Sequence, residues 1–145
     1  MPYRVDRSKL FVMDRVAKVK WLDATRIANA IECTRHGADD SDDEEGTLVR
    51  AANLIGQLGD PQYLRKANAL YYEFEEVGMN KQLGYTSPAD LTDLYPKFYW
   101  SSVSAHIQSA IRYLNVTSTG RQWIANLYSN ILRAERELSL FSPQR

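Results

Sequence analysis

Residues 48–78 read LVRAANLIGQLGDPQYLRKANALYYEFEEVG, and their reading decides the fold. Leu48, Val49, Ala52 and Ile55 follow the spacing of one helix face. Gly59 then stands where a left-handed C-terminal residue belongs, and Asp60 and Pro61 offer an N-cap and a first-turn proline for a second helix from Pro61 to Val77. In that helix Leu64, Ala67, Leu70, Tyr71 and Phe74 form the apolar stripe, and Gly78 closes it. One helix is expected to stop and another to start within three residues. The first of them carries Asn53 among Ala51, Ala52 and Leu54, a setting in which an amide needs a partner or a task.

Working outward, Arg7 to Val19 carries Leu10, Met13 or Phe11, Val16 and Val19 at three-and-four spacing with basic residues between, the pattern of an amphipathic helix. Asp23 is an N-cap for a helix in which Ile27, Ala30, Ile31 and Cys33 or Thr34 line one side before His36-Gly37 ends it. Toward the C-terminus, Lys81 to Thr86 reads as a loop around Gly84. Ser87-Pro88 opens a short helix to Leu94 and Pro96 opens another, with Tyr99, Val103, Ile107, Ala110, Ile111 and Leu114 as its stripe. Thr117 or Ser118 caps the last, where Trp123, Leu127, Ile131, Ala134 and Leu138 recur about every four residues. Nothing alternates with the period of a strand. The expectation is an all-α, single-domain bundle of five to seven helices over residues 1–145, with a mobile acidic loop at 38–46.

That loop holds Asp39, Asp40, Asp42, Asp43, Glu44 and Glu45 around Ser41. A calcium loop needs acids at alternate positions, a central glycine and a closing glutamate, which this spacing lacks. A solvated run that favours the start of the following helix is the plain reading.

The 145 residues contain 18 lysines and arginines against 18 aspartates and glutamates, so no overall field draws in nucleic acid or an anionic membrane. No apolar run reaches signal-peptide or membrane-span length. The lone Cys33 has no partner for a disulfide, and the cytoplasm is the expected compartment. Tyr95, Phe98, Tyr99 and Trp100, with Tyr71, Tyr72 and Trp123, are a dense aromatic set without basic interleaving. They read as core and as an interface for a homo-oligomer. His36 and His106 are far apart and lack metal-ligand spacing, and read as capping or packing residues.

Three stretches, RAANLIGQLGDPQYLRKANALYYEFEEVGMNKQLGY, DLYPKFYW and TSTGRQWIANLYSN, resemble the C-terminal part of a largely cyanobacterial group of HD-domain metal-dependent phosphohydrolases. The resemblance covers roughly residues 20 to 140. It implies an HD-like helical scaffold and a divalent metal held by a His, a His-Asp pair and a later Asp on helices, which activates water against a phosphate ester. The position matching the later Asp, in a context like RAADLIGQ, is Asn53, which makes it the candidate metal position. Arg50, three residues earlier on nearly the same face, is the candidate phosphate-binding residue. The His-Asp pair is missing, since His36 precedes Gly37 and His106 precedes Ile107. The resemblance therefore implies either the C-terminal portion of such an enzyme or an inactive relative, and no catalytic residue can be named. The rival reading is a non-catalytic helical module for dimerisation or partner binding.

Overall fold

The structure, a computed structural model, describes residues 4–35 and 43–141, with Phe141 described by its backbone alone. Every regular element among the described residues is helical: α1 (Arg4–Arg15), α2 (Ala24–Glu32), α3 (Glu44–Leu58), α4 (Tyr63–Glu76), α5 (Met79–Leu83), α6 (Pro88–Asp93), α7 (Tyr95–Phe98), a π-helical turn (Tyr99–Val103), α8 (Ser104–Leu114) and α9 (Ser118–Phe141). The protein is all-α. Its contacts divide into two compact units, Met1–Asn53 and Leu54–Arg145, with α3 contributing residues to both. Of the expected acidic loop, residues 38–42 lie outside the described residues, as does His36, while Glu44 to Gly46 form the first turn of α3.

In the first unit α1 packs on α2. The Asp23 carboxylate accepts the Arg26 amide at 3.0 Å and caps α2, which buries Ala24, Ala28 and Ala30. The face α1 turns toward α2 is not the expected one. Val12 is its buried residue, whereas Leu10 is 70% exposed, Phe11 62% and Met13 47%. The rotation is fixed by ion pairs on the valine side. Lys9 reaches Glu32 at 2.8 Å, and Arg35 bridges Asp6 at 2.6 Å to Glu32. These part-buried charges hold α1 with its valines against the alanines of α2, and the larger apolar side chains face out.

The inward face of α3 also differs from the expected set. Ala51, Ile55 and Leu58 are buried, Ala52 is exposed and Val49 is 38% exposed. Near its start, Gly46 is buried where a Cβ would run into the Cys33 sulfur, so the close approach of α2 and α3 within the first unit depends on that glycine.

In the second unit the core is Tyr95, Tyr99, Val103 and Ile107 packed with Leu127, Ile131 and Ala134 of α9. The turn after α3 corrects the reading of Gly59. Only Gly78 (φ 71°) and Gly84 (φ 75°) are left-handed among the described residues, and Gly59 is needed because a Cβ there would lie 2.9 Å from the Trp123 carbonyl oxygen. Asp60 acts as foreseen in kind but ahead of the helix: its carboxylate accepts the Gln62 amide at 2.8 Å, and α4 begins only at Tyr63. The expected loop from Lys81 is in part helical, because α5 fits between the two left-handed glycines. Asp90 accepts the Thr86 and Ser87 amides at 2.6 and 2.9 Å and fixes the start of α6. Thr117 caps α9 by accepting the Gly120 amide at 3.0 Å.

Candidate functional site

Arg50 and Asn53 share one flank of α3, three residues apart. The Arg50 Nε donates to the carbonyl oxygen of Cys33 at 2.6 Å, so this side chain ties the end of α2 to α3 inside the first unit. Asn53 is half-buried beside the fully buried Ala51, and it is not without an interaction of its own. The acidic run reaches the described residues at Asp43, whose carboxylate accepts the amides of Glu45 at 3.2 Å and Gly46 at 3.1 Å and caps α3. Glu45 is held by the Arg26 guanidinium. His106 is half-buried on α8 in the second unit.

Among the described residues no group of three or more His, Cys, Asp or Glu side chains could hold a metal ion. Asn53 offers one neutral amide oxygen on the flank that also carries the Arg50 cation, and such a position does not fit a divalent metal.

The aromatic set divides into an inner and an outer part. Tyr63 and Tyr95 lie with ring centroids 4.4 Å apart, and Tyr95 donates its hydroxyl to the Leu58 carbonyl oxygen at 3.3 Å. Burial pushes the Tyr63 phenol up to about 12 and raises that of Tyr95 further. Burial and the neighbouring Tyr128 push Tyr99 up to about 12 as well. These phenols stay neutral and structural. Trp100, within the π-helical turn, faces outward: it is 59% exposed, packs its ring edge-on to Tyr99 at 4.9 Å, and donates its indole N–H to Glu135 at 2.9 Å. Tyr128, Leu132 and Glu135 follow i, i+4, i+7 on α9, so Trp100 lies beside a face on which Tyr128 and Leu132 are exposed.

Two residues of consequence gave no signal in the sequence. Asn130 is buried and donates its amide to both the Leu58 and Asp60 carbonyl oxygens at 2.8 Å, anchoring the turn after α3. Asn80 is buried after Gly78 and donates to the Tyr71 carbonyl and to Glu75 at 2.9 and 2.8 Å. Its own Oδ1 has no hydrogen-bond partner among the described residues. Asn80, second in the short α5, looks in sequence like any turn residue, and Asn130, in the middle of α9, looks like any polar position of a helix.

A family model described as Npun_R2479-like matches residues 1–137. The chain belongs to that family. Its description states no activity. No curated protein and no solved structure matches the chain. No helix among the described residues is long and apolar enough to cross a membrane.

Proposed function

We propose that this Npun_R2479-like chain is a non-catalytic helical module, built on a scaffold resembling that of the HD-domain phosphohydrolases, which binds another protein through the Trp100, Tyr128 and Leu132 surface. The observation that carries the reading is the exposed Trp100 ring of the π-helical turn, held beside the exposed α9 face. A large aromatic ring held by a hydrogen bond to Glu135, with an aliphatic and a second aromatic neighbour, has the make-up of an interface anchor. Arg50, the residue the phosphohydrolase reading would place on phosphate, supports α2 through Cys33, which favours the binding module over the enzyme. The lone Cys33 suits a reducing compartment, and the module is assigned to the cytoplasm.

Two measurements test this. Purified protein supplied with manganese or magnesium should not hydrolyse bis(p-nitrophenyl) phosphate; metal-dependent turnover that disappears in Asn53→Ala would restore the phosphohydrolase. A photo-crosslinking residue at position 132 should give a discrete adduct in cells that weakens when Trp100→Ala is added. An adduct pattern indifferent to Trp100 would count against the surface.

A further inference from the structure

We infer that α1 is a self-pairing helix, on which two copies of this chain meet antiparallel about a twofold axis passing between Leu10 and Phe11. The inference stands on the first unit and is independent of the surface proposed for partner binding. Arg7, Leu10, Phe11 and Asp14 follow i, i+3, i+4, i+7, a single helix face. All four are exposed. Leu10 and Phe11, among the larger apolar residues of the unit, lie in the middle of that face, while the unit's own core holds Val12 and four alanines, Ala24, Ala28, Ala30 and Ala51.

The charge order identifies the occupant. Arg7 and Asp14 lie about 10 Å apart along the axis, equally far on either side of the midpoint between Leu10 and Phe11. Turning a second α1 end for end about that midpoint therefore sets Arg7 of each copy against Asp14 of the other and buries both apolar pairs between them. A parallel arrangement would oppose Arg7 to Arg7. An anionic bilayer would meet the carboxylate of Asp14 in the same face as the cation. In the single chain Asp14 has only exposed neighbours, Arg15 at 3.4 Å and Lys18 at 3.3 Å, and Arg7 has no ion pair among the described residues. The pattern is its own complement, as a twofold interface requires.

The contact is small and predicts a weak, concentration-dependent dimer. Sedimentation velocity over a concentration series of the full chain reads it directly. Arg7→Asp and Asp14→Arg should each weaken dimerisation roughly tenfold, and the two together, which exchange the charges, should restore it. Trp100→Ala should leave the equilibrium unchanged, and Leu10→Ser should weaken it without altering the circular dichroism spectrum. A chain that stays monomeric at the highest concentration, a dimer insensitive to both single reversals, an exchange variant as weak as the single ones, or a dimer lost in Trp100→Ala would each overturn the inference.

Discussion

The two units solve the same problem with opposite materials. The second unit buries Tyr95, Tyr99, Ile107, Leu127 and Ile131, large side chains drawn from several helices, and the Tyr95 hydroxyl and the Asn130 amide inside it find backbone carbonyls. The first buries one valine and a set of alanines, locates α1 by the Asp6, Lys9, Glu32 and Arg35 ion pairs, and leaves Leu10, Phe11, Met13 and the 82% exposed Trp21 outside. Apolar burial scales with side-chain area, while part-exposed ion pairs select which face of α1 meets α2 but add little net stability. The first unit is therefore the more weakly held, and its apolar surface is available for contacts beyond its own core.

Ile107→Ala in the second unit should cost about 2–5 kcal/mol, since it opens a cavity in a fully buried site. Urea unfolding checks it. Asn130→Ala should cost about 1–3 kcal/mol by leaving the Leu58 and Asp60 carbonyls without their donor. In the first unit the most deeply placed side chain of α1 is worth less: Val12→Ala should cost about 1–2 kcal/mol, the equivalent of two buried methyl groups. A Val12 effect as large as that of Ile107 would mean that the first unit has a core of ordinary strength.

Acid sharpens the same contrast. Hydrogen bonds from Arg35 and Lys9 pull the Glu32 carboxyl down to about 2, and the Arg35 hydrogen bond lowers Asp6. A carboxyl depressed in the folded state stabilises above its unfolded pKa, and that contribution disappears as the pH falls through the folded value. The ion-pair contribution to the first unit should accordingly fade between about pH 4.5 and 2. In Glu32→Gln the stability of α1 and α2 should change less over this range than in the wild type, as followed by amide exchange or by a fluorescence signal from Trp21.

How much of this the sequence disclosed differs by element. The all-α class, the Asp23 cap, the Ser87-Pro88 start, the α9 cap, narrowed to Thr117 or Ser118, and the α9 stripe were legible because each depends on spacing or on residues within one turn. The orientation of α1 was not. Its periodicity admits two faces, and the choice fell to ion partners at Glu32 and Arg35, more than twenty residues away. Gly59 was misread for a related reason: a glycine required by the approach of the Trp123 carbonyl looks in sequence like a glycine required for a left-handed turn. At the candidate site, Asn53 and Arg50 were correctly placed on one flank of a helix. The Arg50 contact to a main-chain oxygen leaves no trace in a residue pattern.

Native-state hydrogen exchange in rising urea tests the contrast between the units most directly. Amides of α1 and α2 should exchange through openings of lower free energy, and weaker urea dependence, than those of α8 and α9. A single opening free energy with one urea dependence across all four helices would contradict it.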